Sequence, residues 1–330
     1  MNYDVIAIGS ATQDVFFSAD AFRVLDDDQS PTRKGLCVPF GSKVPVKKIV
    51  FASGGGGTNA AVTFARQGYR AACIGVIGKD PNGAAILDEL RRERVDGKYM
   101  MAGDDDITAY SSILVGDGGE RTILSYKGEG LHWHPEHIPW DRLSAKWVYV
   151  NSLGGSIEML ERIAAFAQRT GAHVATNPGP GELAHGLAVL APLWKSFDIV
   201  GMNQEEAAQL TGKSFDDPDA IFAALDDAIG GICSMTNGPR GVAVSDGRMR
   251  YTAGTPEGST IERTGAGDAF HAGFLAEFIR SGSIEKAIQF GTANATSVVM
   301  QYGAKAGILR VGDIGSWPLV PVVRTSVGAR

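Results

Sequence analysis

Short apolar runs, each closed by a glycine or a polar residue, recur along the chain and are separated by stretches with a helical period. The runs fall at 5–8, 72–77, 147–150, 173–176, 197–202 and 231–235. The helical stretches are clearest at 59–67, 83–95 and 157–169. Strands that alternate with helices build a mostly parallel sheet with helices on both faces. The pattern therefore predicts an α/β fold, a Rossmann-like three-layer sandwich.

Two segments interrupt this alternation, at 16–52 and 107–127. In the second, apolar and polar residues alternate over 112–115 and 122–125 on either side of Asp117-Gly118-Gly119, which is typical of a β-hairpin. We expect both segments to form a small antiparallel β-sheet that projects from the main domain as a lid. Such a lid can exclude water from a reaction site. Contact with a second copy of the chain is the alternative, and both can hold.

These patterns divide the chain into a main domain, a lid and a tail. Residues 1–15, 53–106 and 128–310 are predicted to form the main α/β domain, and the two interrupting segments form the lid. After residue 308 no clear period remains. We therefore expect 311–330 to be a loosely attached C-terminal tail.

Composition and charge limit the kinds of molecule that the protein is expected to bind. Of the 330 residues, 44% are hydrophobic and 21% charged, and the formal net charge is −6. Basic residues occur in scattered pairs such as Lys47-Lys48, which argues against a nucleic-acid surface. The N-terminus does not resemble a signal peptide, and no run approaches the roughly 18 apolar residues of a membrane span. We therefore expect small-molecule ligands, with no nucleic acid and no membrane as partners.

The cysteines bear on the redox environment. Cys37, Cys73 and Cys233 are far apart in the chain and form no CxxC pair. An odd number without close spacing predicts neither a disulfide framework nor a zinc site. A reducing, cytoplasmic location fits best.

The strongest chemical motif is the turn Thr-Gly-Ala-Gly-Asp at 264–268, which is followed by a helical run to Ser281. Small residues let the backbone approach a ligand, and a new helix turns unpaired N–H groups toward it, which suits a transferring phosphoryl group. Asp268 could then accept the proton of an attacking hydroxyl. The alternative is a plain glycine-rich turn whose Asp stabilises the helix dipole.

Two polar motifs lie nearer the N-terminus. Four glycines at 54–57 precede Thr58 and Asn59 at the start of a helix, without the Gly-Lys-Ser/Thr of a Walker loop. A flexible turn is the alternative interpretation. Asp14 follows the first strand, where a carboxylate could accept hydrogen bonds from the hydroxyls of a polyol or act as a turn or cap residue.

Three further motifs lie in the C-terminal half. Asn203-Gln204-Glu205-Glu206 follows a strand, and its acidic residues could also form the first turn of a helix. A second turn, Thr-Asn-Gly-Pro-Arg-Gly, spans 236–241. Asn294 lies in an alanine-rich helix over 284–300, where it could face a nucleotide or serve in packing.

Together these motifs resemble the ribokinase-like, or PfkB, carbohydrate kinase family, and they follow that family's order: Asp after the first strand, GGxxxN, NxxE, TxGxxG and GAGD. The resemblance implies a ribokinase-like fold, use of ATP and Mg²⁺, Asp268 as the catalytic base, and an anion hole formed by the backbone of Gly265, Ala266 and Gly267. For the acceptor it implies Asp14, Gly55, Gly56 and Asn59. For the nucleotide it implies Asn203, Thr236, Gly238, Gly241 and Asn294, with Glu206 orienting the magnesium through water.

Two adjacent positions depart from the family pattern. Family members usually carry Asp-Thr immediately before the Thr of the catalytic turn, whereas this chain has Glu262 and Arg263. In many members that Asp helps to hold a monovalent cation. The departure puts activation by potassium in doubt and leaves Asp268 unaffected.

The resemblance predicts ATP-dependent phosphorylation of a primary hydroxyl on a small sugar similar to ribose or fructose. A nucleoside kinase of the same family is the alternative, and a non-catalytic sugar- or nucleotide-binding protein is a third hypothesis. A dehydrogenase is disfavoured because no strand-linked GxGxxG is present. Asn151, after a strand, and Arg121, in the lid, are candidate determinants of the acceptor, although a hairpin Arg beside Glu120 is also typical of solvated surface. A homodimer through the lid is expected.

Three histidines that lie close together in the sequence suggest a metal site, but their spacing does not favour one. His132, His134 and His137 lie within six residues, but Pro135 and the lack of Cys or helical spacing make a compact tetrahedral zinc site awkward. A polar connection is the preferred interpretation. His271, one turn into the catalytic helix, is expected to pack beside the site.

Overall fold

The computed structural model describes residues 2–28, 33–116, 120–258 and 260–327. The strands are Tyr3–Ile8 (β1), Thr12–Ser18 (β2), Arg23–Asp26 (β3), Lys34–Cys37 (β4), Lys48–Gly54 (β5), Ala71–Ile74 (β6), Val76–Gly78 (β7), Met101–Gly103 (β8), Tyr110–Val115 (β9), Arg121–Tyr126 (β10), Ala145–Val150 (β11), His173–Thr176 (β12), Ile199–Asn203 (β13), Ile232–Thr236 (β14), Val242–Ser245 (β15), Met249–Ala253 (β16) and Val323–Ser326 (β17). The helices are Gly56–Arg66 (α1), Pro81–Arg92 (α2), Ile157–Thr170 (α3), Pro180–Leu183 (α4), Leu187–Trp194 (α5), Gln204–Thr211 (α6), Pro218–Ala228 (α7), Ala266–Ser281 (α8) and Ile284–Val299 (α9).

A nine-stranded sheet forms the centre of the main domain, in the order β17-β16-β15-β14-β13-β12-β11-β1-β6. The six strands from β14 to β6 are parallel, and β15, β16 and β17 continue the sheet in antiparallel pairing. Each of the six apolar runs identified in the sequence overlaps one or two of the described strands. The predicted parallel α/β sheet is therefore confirmed.

Side chains of the central strands alternate between two separate cores. In β1, Val5 and Ala7 pack with helices α1, α2, α8 and α9, whereas Ile6 and Ile8 pack on the opposite face with α3, α5, α6 and α7. All four of these side chains are fully buried. A strand that is apolar on both faces requires helices on both sides, so the three-layer sandwich predicted from the sequence is confirmed.

The lid is a four-stranded sheet in the order β10-β9-β2-β5, beside the two-stranded β3-β4 hairpin. Strands β2 and β5 are antiparallel, as are β9 and β10, but β2 and β9 are parallel. The lid sheet is thus mixed and not purely antiparallel as predicted, because the chain passes through the main domain between β2 and β9 and returns in the same direction. The sheet also begins earlier than predicted, at Thr12. The turn at 117–119 lies outside the described residues.

The C-terminal segment is attached more firmly than predicted. Strand β17 pairs with β16 at the edge of the large sheet. Just before β17, Val320 is buried, and its carbonyl accepts a hydrogen bond of 3.0 Å from Gln289 Nε2. The expectation of a loose tail is therefore wrong for 320–326. The β-branched run Val322-Val323 was too short to predict a strand from its period, but the open edge of β16 provides a partner for it.

Two sequence expectations concern the whole chain. Cys37 is exposed, Cys73 and Cys233 are buried, and all three thiols are free, as their spacing predicts. Among the helices of the described residues, none combines the length and the apolar character that crossing a membrane would require.

Candidate active site

Most of the predicted site residues lie at one edge of the large sheet. Asn151 directly follows β11, Asn203 ends β13 and Thr236 ends β14. The carboxyl ends of parallel strands meet at the same edge, which is where ligands bind in open α/β sheets. Asp268, in the first turn of α8, faces this edge, since its carboxylate contacts Asn151.

The catalytic turn has a backbone geometry that suits glycine. Gly265 precedes α8 with a left-handed φ of 79°, and a Cβ at this position would lie 2.4 Å from the Cβ of Ala304. A larger residue would be strained and would displace the neighbouring loop. The tight turn leaves the first N–H groups of α8, including those of Ala266 and Gly267, without helical partners. The turn can therefore present the N–H of Gly267 to an anion, whereas that of Ala266 also makes a long hydrogen bond of 3.4 Å to the Arg263 carbonyl.

The carboxylate of Asp268 is held by two amide side chains from different elements. Asn59 Nδ2, in α1, donates to Oδ2 at 2.8 Å, and Asn151 Nδ2 donates to Oδ1 at 3.1 Å. Burial raises the pKa of Asp268, while these two hydrogen bonds and the charge of Lys305 oppose the shift. Three residues predicted separately thus form one cluster, in which Asp268 is fixed in orientation.

The glycine run at 54–57 is required by close packing. A Cβ on Gly56 would lie 1.7 Å from Asn151 Oδ1, and a Cβ on Gly54 would lie 1.9 Å from Asp14 Oδ2. Gly55 has a φ of 90° and lies against the carbonyl of Ser10. The glycines therefore let the polar side chains of the site approach the backbone before α1, which the flexible-turn interpretation does not explain.

Asp14 lies in β2 and is only 4% exposed. Thr12 Oγ1 donates a hydrogen bond of 3.0 Å to Asp14 Oδ1. Burial raises the pKa of Asp14, and the nearby charge of Asp268 adds to the shift, while Lys305 opposes it. Asp14, which is buried, and Asp268, which is half-buried, are thus two carboxylates that interact electrostatically at the base of the lid.

Lys305 is a site residue that sequence reasoning missed. Its side chain is 5% exposed, its Nζ donates to Ser53 Oγ at 2.6 Å, and it lies 3.5 Å from Glu89 Oε2. Burial lowers the pKa of this lysine, while Glu89 and Asp14 oppose the shift. The only sequence signal is a lysine among small residues, Gly-Ala-Lys-Ala-Gly at 303–307. That composition does not distinguish a buried cation from an exposed one.

The predicted nucleotide residues are grouped around β13 and β14. Asn203 and Thr236 are directly paired across these strands. Glu206 forms a capping box at the start of α6: its N–H donates to Asn203 Oδ1 at 2.8 Å, and the Asn203 N–H donates to Glu206 Oε2 at 2.9 Å. Burial raises the pKa of Glu206, and the charge of Asp268 adds to the shift. The motif therefore forms the start of a helix, as one interpretation predicted. The charge of Asp268, the predicted base, also acts on Glu206.

The two glycines of the 236–241 turn have different surroundings. Gly238 is exposed and would have open space around a Cβ. Gly241 is buried with a φ of 99°, and its Cβ would lie 2.0 Å from the carbonyl oxygen of Ala253. Gly241 therefore serves the close approach of two backbone segments, and only Gly238 is open to a ligand.

Asn294 makes packing contacts, the second of the two roles considered for it, and its role toward the nucleotide stays a prediction. It is fully buried. Its Nδ2 donates to the carbonyl of Ala269 at 2.8 Å, and its Oδ1 accepts from the N–H of Leu309 at 2.9 Å. Both ends of the amide are thus engaged in joining α8 and α9 to the chain that follows them.

Replacing Asn294 by leucine tests this structural role. The change leaves the buried N–H of Leu309 without its partner, so we expect the free energy of unfolding to fall by about 2 kcal/mol. The KM for ATP should not change. Urea denaturation and initial-rate kinetics check the two expectations. If the variant had a higher KM for ATP and unchanged stability, Asn294 would contribute to nucleotide binding and not to packing.

The residues that precede the catalytic turn contact both the lid and the loop after α9. Glu262 is fully buried and accepts hydrogen bonds from the N–H groups of Thr264, at 2.6 Å, and Gly303, at 3.2 Å. Arg121, considered above as a determinant of the acceptor, donates from Nε to Thr264 Oγ1 at 3.0 Å. Its described contact is therefore with the catalytic turn.

The histidines of the 132–137 segment separate into two groups. His132 Nδ1 lies 3.2 Å from Glu129 Oε2, while His134 Nδ1 lies 3.2 Å from Glu136 Oε1 and the His134 ring stacks on that of His137. All three histidines are exposed. Their ligand atoms therefore do not converge on one site, although His134, Glu136 and His137 lie close together.

His271 packs beside the catalytic turn. It is buried, and its Nδ1 donates to the carbonyl of Gly267 at 2.9 Å. Burial lowers the pKa of His271 to about 4. The imidazole is therefore neutral at physiological pH.

A doubly wound sheet, the half-buried carboxylate of Asp268 at the start of a helix and a nearby lid fit a phosphotransferase that acts on an alcohol group, the class to which the family and relatives below belong. The chain belongs to the PfkB family of carbohydrate kinases, because the model of the pfkB family carbohydrate kinase matches residues 22–310. Within that family it is a sugar or nucleoside kinase, and family membership implies the use of ATP with a divalent metal.

Individual relatives agree with the family assignment. The chain is 29% identical over 283 residues to a ribokinase from Haemophilus influenzae, covering 83% of this chain and 90% of the relative. It is 30% identical over 246 residues to a fructokinase from Escherichia coli, covering 69% and 78%. Among solved structures, adenosine kinase from Sinorhizobium meliloti matches with a TM-score of 0.75 and 25% identity, covering 92% of this chain and 96% of that one.

Proposed function

We propose that the protein transfers the γ-phosphoryl group of ATP to the primary hydroxyl of a small sugar similar to ribose or fructose, with Asp268 as the general base. The observation that carries the proposal is the fixed carboxylate of Asp268, held by Asn59 and Asn151 beside the first N–H groups of α8. A general base must lie within hydrogen-bond reach of the proton that it removes, whatever its pKa. The carboxylate of Asp268 is held in one orientation by Asn59 of α1 and by Asn151 after β11.

In the proposed reaction the acceptor lies between Asp14, Asn59 and the lid. Its hydroxyls can donate hydrogen bonds to Asp14, while Asp268 takes the proton of the attacking hydroxyl. The N–H groups of Gly265, Ala266 and Gly267 hold the charge that develops on the phosphoryl oxygens. Positioning and charge stabilisation account for most of the rate in phosphoryl transfer.

Glu206 is the residue that we assign to the magnesium ion. Mg²⁺ keeps several of its waters and needs few direct carboxylates, and when bound it neutralises charge on the phosphates. The capping box fixes Glu206 through Oε2, while Oε1 makes no hydrogen bond to the residues that the structure describes. The donor set therefore fits contact with a hydrated metal ion. Asn203, Thr236 and Gly238 would lie along the nucleotide.

The choice of a sugar over a nucleoside rests on the named relatives. The two curated relatives reported above are a ribokinase and a fructokinase, at 29% and 30% identity. The adenosine kinase is a structural relative at 25% identity and keeps the nucleoside alternative open. Asn151 already contacts Asp268, so it is placed to influence the acceptor through the base.

A coupled ADP-release screen over sugars and nucleosides tests the proposed function. We expect ribose or fructose to stimulate ATP turnover, with the Asp268→Asn variant as the inactive control. Stimulation by nucleosides alone would support the alternative acceptor. If no sugar or nucleoside stimulated ATP turnover, the proposal that the protein phosphorylates these acceptors would be wrong.

Several sequence expectations stay predictions. A homodimer through the lid is supported by the exposed apolar side chains of Phe51 and Leu124, which are 68% and 60% exposed. The cytoplasmic location rests on the free cysteines. The doubt over potassium rests on Glu262, whose carboxylate is already engaged by two backbone N–H groups.

A further inference from the structure

The lid touches the catalytic turn through two side-chain contacts. From the start of β10, Arg121 Nε donates to Thr264 Oγ1 at 3.0 Å. Glu120, just before that strand, forms an ion pair of 2.7 Å with Arg263 Nη1. Thr264 is the first residue of the catalytic turn at 264–268, and it immediately precedes Gly265, the N-cap of α8. Two consecutive lid residues therefore contact two consecutive residues of the loop that leads into α8.

A buried carboxylate lies beneath these contacts. Glu262 is fully buried and accepts hydrogen bonds from the backbone N–H groups of Thr264 and Gly303. Among the described residues, no basic side chain lies within 4.0 Å of it. Burial raises the pKa of Glu262, while the hydrogen bonds from Thr264 and Gly303 and, to a smaller extent, the charge of Arg121 oppose the shift. Arg121 thus reaches Glu262 through its charge, in addition to its direct hydrogen bond to Thr264.

We propose that Arg121 is a positioning residue, which the lid places against the loop at 262–264 so that the catalytic turn takes up the geometry needed for phosphoryl transfer. The Glu120–Arg263 ion pair fixes the lid in register for this contact. The inference rests on the proposed function and gives a role to Glu262 and Arg263, the two residues that depart from the family pattern.

Changing Arg121 to glutamine tests this role. The variant loses the hydrogen bond from the charged guanidinium to Thr264 Oγ1. A bond of this kind corresponds to about a tenfold change, so we expect kcat to be about tenfold lower. The KM for ATP should stay unchanged, because the contact does not involve the nucleotide residues. Arg121→Lys should recover part of the rate, since it keeps the charge but not the planar donor. Lys127→Gln, which removes an exposed cation just beyond the other end of β10, is the matched control and should leave kcat unchanged.

The outcome also separates positioning from binding of the acceptor. If Arg121 instead contacted a charged group on the acceptor, the glutamine variant would raise the KM for the acceptor and leave kcat near that of the wild type. That result would overturn the proposal, as would an equal loss of kcat in the Lys127→Gln control.

A charge exchange tests the ion pair. Glu120 is 64% exposed and Arg263 38% exposed, so the pair is screened by water and each single reversal, Glu120→Arg or Arg263→Glu, should lower kcat only about threefold. The double variant should return kcat close to the wild-type value, because the pair is restored with opposite polarity. Additive losses in the double variant would contradict a direct contact between lid and loop.

Hydrogen exchange of the backbone amides at 264–267 provides a readout that does not need activity. We expect Arg121→Gln to speed exchange there by about tenfold relative to wild type and to Lys127→Gln, because the turn loses its contact with the lid. Unchanged exchange in the glutamine variant would overturn the inference. A wild-type protein inactive on every acceptor would instead count against the proposed function, while the exchange result would still decide the role of Arg121.

Discussion

The Asp268→Asn variant is expected to lose at least about a hundredfold in kcat while it still binds ATP, which is the usual scale for removal of a positioned base. Asparagine has nearly the same shape, and its Oδ1 can still accept a hydrogen bond from Asn59 or Asn151, so α8 should stay folded. Its amide cannot take the proton of the acceptor hydroxyl. Steady-state kinetics measure kcat, and isothermal titration with ATP checks that the nucleotide site is intact.

A matched change at the second carboxylate provides the control. Asp14→Asn should act mainly on the KM for the acceptor, because Asp14 is assigned to the hydroxyls of the acceptor and not to proton transfer. Circular dichroism and urea denaturation check that both variants are folded. Near-normal kcat in folded Asp268→Asn would refute the assignment of the base.

The pH profile gives an independent check on the base. Burial raises the pKa of Asp268 above that of an exposed aspartate. A base must be deprotonated to act, so kcat/KM should fall as the pH decreases through this raised pKa. Removing the amide donor with Asn59→Ala takes away a hydrogen bond that favours the charged form. The acid limb of the profile should then move to higher pH.

The sequence predicted the layers of the fold and the centre of the site because both depend on local patterns. Short apolar runs such as 5–8 must be covered on both faces, which defines a three-layer sandwich. Asp268, Asn59 and Asn151 each follow a strand or begin a helix at the same edge of a parallel sheet. Their convergence is therefore a consequence of topology, and the structure adds the hydrogen bonds between them.

Residues whose roles depend on contacts between distant elements could not be predicted in this way. Asn294 and Arg121 both looked like candidates for ligand contacts. The packing of α8 against α9 engages both ends of the Asn294 amide, and the lid brings Arg121 against Thr264. The direction of β2 relative to β9 is equally non-local, since each strand alone has an ordinary alternating pattern.

Lys305 shows the same limit at the site itself, because its importance depends on three elements that meet only in the folded chain. Its Nζ contacts Ser53 at the end of β5 and lies near Glu89 of α2, while its charge acts on both Asp14 and Asp268. The proposed acceptor site thus combines the buried Asp14 and the half-buried Asp268 with one buried cation that favours their ionised forms. A sequence motif describes neither the burial nor the distances.

Replacing Lys305 by methionine should therefore affect stability and activity together. Methionine is similar in length but leaves Glu89 and Asp14 without the cation, and loss of one partner from a buried charge cluster lowers the free energy of unfolding by about 3 kcal/mol. The loss should shrink as the pH falls, because the unpaired carboxylates can then take up protons. Urea denaturation at several pH values measures both effects. The acid limb of kcat/KM should also move to higher pH, since Asp268 loses a charge that lowers its pKa.

Two further variants make this result specific. Lys286→Met removes an exposed cation from α9 and should change the free energy of unfolding by no more than about 0.5 kcal/mol. The double variant Lys305→Met/Glu89→Gln removes an unpaired carboxylate as well, so it should be more stable than Lys305→Met alone. A Lys305→Met protein that matches wild type in stability and in pH profile would show that the lysine charge does not support the carboxylates of the acceptor site.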